Sequence, residues 1–192
     1  MIFKEEFLSV KKAWVESLLY VVSFAFFLAL LSQIRIPLPF TPVPLTLQTL
    51  GILFIGYYLG AKLGIISVLT YLTLGASGLP FFAGLKGGML ILSGPTGGYL
   101  LGFLAGVYLV GKAKELGWLN RWSQSLMVAL LCHLLIYFFG LIWFWVGFSK
   151  FNSSLALRDL LVLTVIPFLP TDLLKSVIFV SFLSLHRKFR GQ

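Results

Sequence analysis

Charged residues are scarce in this sequence, and their scarcity excludes an ordinary soluble protein. Asp, Glu, Lys and Arg make up 11% of the 192 residues, whereas 59% are hydrophobic and the mean hydropathy is +0.99. Soluble domains carry about a quarter charged residues. Apolar stretches close to the roughly 20 residues that a helix needs to cross a bilayer recur along the chain. We therefore expect one all-α integral membrane domain over residues 1–192.

Cysteine and histidine are also rare, with one and two copies. A lone Cys132 excludes an intramolecular disulfide and a zinc site built from several thiolates. His133 adjoins Cys132, but neighbouring residues on a helix point about 100° apart, and no third group orients a base. We expect His133 to be buried and hydrogen-bonded, and we expect no catalytic residue, no metal site and no cofactor.

One segment matches part of a nucleotide-binding motif. GVYLVGK (106–112) matches part of a phosphate-binding loop, but Ala113 follows Lys112 where a magnesium-binding Ser or Thr belongs. The segment also ends an apolar helix and follows no strand. The sequence therefore predicts that this chain does not hydrolyse ATP itself.

Six apolar segments are predicted to span the membrane: residues 13–33, 45–60, 63–79, 97–111, 125–148 and 171–186. Little more than Gly60, Ala61 and Lys62 separates the second segment from the third, so we expect a tight connection there. An apolar but broken stretch, residues 155–169, precedes the sixth. Several segments are short for a full span, which is typical of proteins whose loops dip into the membrane over an internal cavity.

The distribution of Lys and Arg predicts the orientation. Ten of these residues fall on one side if the N-terminus is cytoplasmic, namely Lys4, Lys11, Lys12, Lys62, Lys112, Lys114, Arg121, Arg187, Lys188 and Arg190. Four fall on the other side: Arg35, Lys86, Lys150 and Arg158. The positive-inside rule then places both termini in the cytoplasm. Basic loops that face anionic lipid also explain the net charge of +9 without a nucleic-acid partner.

Two irregular segments are predicted to lie together on the external side. QIRIPLPFTPVPLTLQ (33–48) contains four prolines, which exclude a helix and give the loop a nearly fixed shape. GLPFFAGLKGGMLILSGPTGGY (78–99) is rich in glycine and joins the third and fourth spans. Irregular backbone at membrane depth is tolerated where it is buried in protein or lines a cavity. These segments therefore indicate a covered pocket.

The strongest candidate for a functional site is the charged pair of Asp172 and Lys175, at the head of the last span. Their i, i+3 spacing puts both on one face of the helix. Charges within a membrane are costly and typically functional. The alternative is a purely structural pair, with Asp172 favoured by the helix dipole and Lys175 neutralising it.

Small residues recur every four positions in three places. Gly56, Gly60 and Gly64, and again Gly98, Gly102 and Gly106, are predicted to allow close helix packing within the chain. Ala25 and Ala29 form a similar ridge on the first span. That ridge could equally dock a helix of a partner protein.

Four motifs carry a family resemblance: IPLPFTPVPLTLQTLG (36–51), LTYLTLGASGLPFFAG (69–84), GPTGGYLLGF (94–103) and PFLPTDLLK (167–175). In content and order they resemble the BioY family, the biotin-binding S components of energy-coupling-factor (ECF) transporters. The resemblance implies the six-helix S-component fold in the cytoplasmic membrane of a prokaryote. It also implies high-affinity binding of external biotin and transport powered by partners, a transmembrane coupling protein (EcfT) and ATPase subunits (EcfA).

The resemblance also implies candidate residues for each role. Asp172 and Lys175 become the predicted biotin contacts, with Lys86 as an alternative partner for the carboxylate. Further candidates are Gly84, for close backbone approach, Phe82 and Tyr99 as walls, Pro39, Phe40 and Pro42 in a stiff lid, and Ala25 and Ala29 as the contact with the coupling protein.

Three other functions are alternatives to this one. A membrane enzyme would need a nucleophile with a base, or a metal cluster, and the sequence offers neither. A structural or assembly protein would not explain a charged pair beneath two irregular loops. An S component for another vitamin stays open, since these proteins share a fold with little sequence in common.

Overall fold

The structure, a computed structural model, describes residues 2–148 and 157–190. Its helices are α1 (Ile2–Gln33), α2 (Gln48–Ala76), α3 (Met89–Ser93), α4 (Gly97–Glu115), α5 (Trp122–Phe148), α6 (Leu157–Thr164) and α7 (Leu169–Arg190). Short 3₁₀ turns lie at Trp118–Asn120 and Ile166–Phe168, and two-residue strands at Arg35–Ile36 (β1) and Leu45–Thr46 (β2). Lys150 and the first residues of the predicted broken stretch lie outside the described residues.

Four helical stretches among the described residues are long and apolar enough to cross a membrane. They are Trp14–Gln33, Gln48–Ala76, Trp122–Gly147 and Arg158–Phe189. The backbone N–H and C=O groups of a helix bond to each other, so they need no partners from the hydrocarbon, which offers none. The chain is therefore a multi-pass membrane protein, as its composition predicts.

Helix α2 is a hairpin of two antiparallel halves. The side-chain Nε2 of Gln48 donates to the hydroxyl of Tyr71 over 2.7 Å, although a straight helix would separate these residues by about 35 Å. The reversal is at Gly60, whose φ of 73° is outside the helical range and suits glycine. The backbone N–H of Ala61 then donates to the Glu115 carboxylate at 2.9 Å. The predicted tight connection between the second and third spans is thereby confirmed.

The glycine series pack helices of this chain against one another. A Cβ at Gly56 or Gly64 would lie within 3.0 Å of Val110 or Val107 on α4. Cβ atoms at Gly98, Gly102 and Gly106 would meet Trp143, Ile136 and Cys132 on α5 at 2.3, 2.9 and 2.9 Å. The predicted close packing is confirmed for five of the six glycines, whereas Gly60 is the reversal of α2. Helix α4 lies between α2 and α5.

The alanine ridge of α1 is not on the surface. Ala25 is 0% exposed and Ala29 is 8% exposed, and both belong to the hydrophobic core of this chain. Of the two alternatives that the spacing leaves open, internal packing and docking of a partner helix, this burial supports internal packing. Four-residue spacing of small side chains indicates close packing on that face, and the structure provides the packing partner within the chain.

The proline loop (34–47) and the glycine-rich loop (77–96) meet at the same end of the helices. Ser32 Oγ donates to the Phe81 carbonyl at 2.6 Å, and the backbone N–H of Leu85 donates to Gln33 Oε1 at 2.8 Å. The reversal at Gly60 and the end of α4 lie together at the opposite end, as the contact between Ala61 and Glu115 shows. The two irregular loops thus cover one end of the molecule.

Candidate functional site

A cavity of about 300 Å³ lies beneath the two loops. Its walls come from both loops, from the first turn of α2, from α4 and α5, and from the first turns of α7. The lining combines aromatic and proline side chains with a few polar groups. Small-molecule sites in proteins typically have this composition and lie between helices.

The charged pair predicted from the sequence closes one end of this cavity. Asp172 is 3% exposed and Lys175 is 6% exposed, and Lys175 Nζ lies 2.6 Å from Asp172 Oδ1. Pro170 fits the first turn of α7 because its missing N–H would have no partner there. The i, i+3 spacing then brings both side chains to the same face, as predicted.

Other elements complete the hydrogen bonding of this pair. Lys175 Nζ also donates to the Thr46 carbonyl on β2 at 2.7 Å and to Thr49 Oγ1 on α2 at 3.0 Å. Thr49 in turn donates to Asp172 Oδ1 at 2.9 Å, and the Tyr137 hydroxyl on α5 donates to Oδ2. A buried carboxylate therefore has three donors, which compensates for much of its lost hydration.

His133 lies behind the pair, outside the cavity lining. Its Nδ1 is 3.2 Å from Ser176 Oγ, and Ser176 Oγ donates to the Asp172 carbonyl at 2.8 Å. His133 Nε2 lies 3.9 Å from Asp172 Oδ1. The predicted buried, hydrogen-bonded histidine is confirmed, and its ring supports the residue that faces the cavity.

Aromatic rings form the sides of the cavity. Phe82 and Tyr99, both predicted as walls, line it and are almost completely buried. The Tyr99 hydroxyl donates to the Thr164 carbonyl at 2.6 Å, so this side chain also anchors the chain just before α7. Tyr71 and Phe168 extend the apolar wall. The middle of the cavity therefore suits an apolar ligand segment.

Two basic side chains lie at the open part of the cavity. Lys86, predicted as a candidate contact, and Arg35 on β1 both line it, and both side chains are exposed. Gly84 does not line the cavity. Its φ of 82° suits glycine, and a Cβ there would lie 2.7 Å from the Arg35 guanidinium. In the structure, Gly84 thus makes room for Arg35.

The predicted lid residues are only partly at the cavity. Pro42 lines it, together with Pro37 and Pro44, whereas Pro39 and Phe40 are exposed and lie outside the lining. Thr41 Oγ1 donates to the Leu163 carbonyl on α6 at 2.8 Å. The loop is therefore held at its centre as well as at its ends.

Sequence reasoning missed several polar residues of the site: Arg35, Thr46, Thr49 and Tyr137. Thr49 and Tyr137 each lie within an apolar segment, which is a weak signal because hydroxyl side chains are common in membrane helices. In the sequence, Arg35 contributes only to the count of basic residues on the external side. Its neighbour across the fold, Gly84, is 49 residues away, and only the folded chain reveals their contact.

Comparison with known proteins identifies related sequences over nearly the whole chain. The BioY family model matches residues 5–191. The probable biotin transporter BioY of Pyrococcus horikoshii is 38% identical over 154 residues, which cover 79% of this chain and 86% of that protein. The biotin transporter BioY of Lactococcus lactis subsp. cremoris is 34% identical over 160 residues, covering 81% and 82% of the two chains.

A solved structure resembles this fold closely. The crystal structure of the S-component for biotin from an ECF-type ABC transporter aligns with a TM-score of 0.77 and 32% sequence identity. The alignment covers 94% of each chain. The likeness therefore covers nearly the whole chain.

Breaking the charged pair should destabilise the fold more than removing both of its charges. We expect Lys175→Met to lower the free energy of unfolding by about 3 kcal/mol, because Asp172 is left as a buried charge without a counter-ion. The double variant Asp172→Asn/Lys175→Met should recover at least half of that loss. Denaturant titration of the detergent-purified variants measures these differences. Exposed Lys62→Met is the matched control, and additive losses in the double variant would contradict the coupling.

Proposed function

This chain belongs to the BioY family, and from that membership we propose that it is the biotin-binding S component of an ECF transporter. Its role is to bind biotin at the membrane and to deliver it into the cell. The proposal assigns no chemical reaction to the chain, in keeping with relatives that are named transporters. The structural likeness to a biotin S-component supports the same function.

The observation that carries the proposal is the arrangement of groups along the cavity. Biotin has a polar ureido ring at one end, an apolar middle and a carboxylate at the other end. The cavity offers the buried Asp172 and Lys175 at one end, the rings of Phe82 and Tyr99 along its sides, and basic side chains at its open part. A ligand with polar ends and an apolar middle matches this order of groups.

Within this proposal the ureido ring lies next to Asp172. Asp172 Oδ1 and Oδ2 accept hydrogen bonds in the structure, and a carboxylate has further lone pairs for ureido N–H groups. Lys175 holds the carboxylate in position and can donate to the ureido oxygen. Replacement of protein donors by ligand donors would keep the buried charge compensated.

For the architecture we propose six membrane-spanning helices in one domain, with both termini in the cytoplasm. The six are α1, the two halves of α2, α4, α5 and α7. The reversal at Gly60 divides α2, and the excess of Lys and Arg at that end of the molecule supports a cytoplasmic location. The cavity then opens to the outside of a prokaryotic cytoplasmic membrane.

The proposed partners are a transmembrane coupling protein (EcfT) and ATPase subunits (EcfA), together with the lipid bilayer and biotin. The ECF-type transporter from which the similar S-component comes supports this assembly. The GVYLVGK segment supports it too, because it lies within α4 and lacks the magnesium-binding hydroxyl. Energy for transport would then come from subunits other than this chain.

Biotin binding tests the proposed function directly. We expect the detergent-purified protein to bind labelled biotin, and Asp172→Asn and Lys175→Ala to raise the Kd about 30-fold or more, because each leaves a buried polar group without its partner. Equilibrium binding of labelled biotin measures this effect. Lys62→Ala, at the opposite end of the molecule, is the control and should bind as the wild type does.

Two results would count against this function. A folded wild-type protein that binds no biotin would overturn it, and other vitamins would then be tested against the same cavity. If both variants bound biotin with the wild-type affinity, biotin would remain the ligand, but its binding site would not include Asp172 and Lys175 on α7. Size-exclusion chromatography of each variant separates lost binding from lost folding.

The proline loop is proposed as a stiff lid whose rigidity reduces the entropy lost on binding. We expect the double variant Pro39→Gly/Pro42→Gly to raise the Kd for biotin about tenfold, since each replacement releases up to about 1 kcal/mol of backbone freedom. The alanine double variant should lie between it and the wild type. If both double variants bound biotin with the wild-type Kd, the loop would not act as a preset lid.

Dependence on partners is tested by uptake. In cells without their own biotin transporter, we expect the chain to support at least about tenfold faster uptake of labelled biotin with the coupling protein and active ATPase subunits than alone. ATPase subunits with an inactivated nucleotide site are the control for assembly without energy. Equal uptake in all three cases would mean that the chain works without these partners.

A further inference from the structure

Arg35 occupies a position that the charged pair of α7 does not explain. It is the first residue of β1 and pairs with Thr46 on β2, whose carbonyl accepts the hydrogen bond from Lys175. Its side chain lines the cavity and packs over the backbone of Gly84. The guanidinium group thus lies between the two loops that cover the cavity.

The space for this side chain depends on the residue beneath it. A Cβ at Gly84 would lie 2.7 Å from the guanidinium carbon and from Nη1 of Arg35, and 2.9 Å from Nη2. These distances are shorter than any ordinary contact, so even alanine would displace the group. Gly84 therefore sets where the Arg35 charge lies, although it does not line the cavity itself.

The charges that line the cavity do not balance. Among the described residues, three basic ones line it, Arg35, Lys86 and Lys175, against one acidic residue, Asp172. Asp172 and Lys175 compensate each other at 2.6 Å. Within residues 2–148 and 157–190, neither Arg35 nor Lys86 forms an ion pair with a carboxylate. The open part of the cavity therefore carries excess positive charge.

We propose that Arg35 is the specificity-determining residue for the ligand's carboxylate. A guanidinium presents two parallel N–H donors that match a carboxylate, whereas a lysine offers a point charge on a flexible stem. Arg35 lies on a hydrogen-bonded ribbon and against Gly84, so its position is defined. Both side chains are exposed, and Lys86 adds to the local positive field without a paired donor geometry. The inference rests on the proposed function for the identity of the ligand.

The assignment also links the two ends of the ligand to different parts of the fold. The carboxylate would bind the loop between α1 and α2, while the ureido ring would bind α7. A bound ligand then holds the proline loop to α7 in addition to the contact between Lys175 and the Thr46 carbonyl. Binding of the ligand's carboxylate to Arg35 would therefore also hold the proline loop over the cavity.

The test compares biotin with biotinamide, its neutral carboxamide, in wild type, Arg35→Gln and Arg35→Lys. We expect Arg35→Gln to raise the Kd for biotin at least about tenfold, as the loss of a charge-assisted hydrogen bond implies. Its Kd for biotinamide should rise less than about threefold. Arg35→Lys should lie between wild type and Arg35→Gln for biotin, because it keeps the charge but loses the paired donors.

Two further variants complete the experiment. Gly84→Ala keeps the arginine but displaces its guanidinium, so it should reduce the preference for biotin over biotinamide as Arg35→Gln does. Lys62→Gln, in the connection at the other end of the molecule, should leave both Kd values unchanged. Lys86→Gln should reduce the preference less than Arg35→Gln, since it removes field strength but no paired donors.

The outcomes separate this inference from the proposed function. Equal losses for biotin and biotinamide in Arg35→Gln would mean that Arg35 only stabilises the loops, and unchanged Kd values would mean that it has no role; either result overturns the inference alone. A larger loss of preference in Lys86→Gln would also overturn it and assign the carboxylate to Lys86. A folded wild type that binds neither ligand would overturn the proposed function and this inference together.

Discussion

The buried ion pair of Asp172 and Lys175 is the constraint on which the site depends. Two charges in an apolar interior are stable only if further polar groups replace their lost hydration. Those groups come from elements far apart in the chain: the Thr46 carbonyl on β2, Thr49 on α2 and Tyr137 on α5. The first turn of α2, helix α5 and the start of α7 must therefore converge, and the cavity lies where they meet.

The same need for hydrogen bonds joins the irregular segments to the helices. Backbone groups at membrane depth require partners within the protein. Side chains of the neighbouring elements supply them: Ser32 binds the Phe81 carbonyl, Thr41 binds the Leu163 carbonyl and Tyr99 binds the Thr164 carbonyl. The proline loop and the glycine-rich loop consequently form one cover over the cavity. A change in either loop is expected to reach the ligand site through these contacts.

Patterns of residues predicted some features well and others only in part. The four-residue spacing of glycines predicted close helix packing, and α4 packs on both α2 and α5 through those glycines. The same reasoning did not identify what Ala25 and Ala29 pack against. Their spacing predicts a helix face of small side chains, but it does not specify which helix contacts that face. Both alanines are buried in this chain. The sequence did not identify Arg35 as a site residue, because a basic residue in a loop gives no sequence signal that distinguishes a cavity-lining position from a solvent-facing one.

By itself, the sequence determined the membrane location, the two irregular loops, the tight connection at Gly60 and the charged pair on α7. These features depend on local properties: the free energy of burying apolar side chains, the restricted backbone of proline and the periodicity of a helix. Only the tertiary structure decided which donors surround Asp172, that Gly84 supports Arg35 and not the ligand space, and that Ala25 and Ala29 are internal. Such contacts join residues separated by tens to more than a hundred positions, and no local pattern specifies which of them meet when the helices pack.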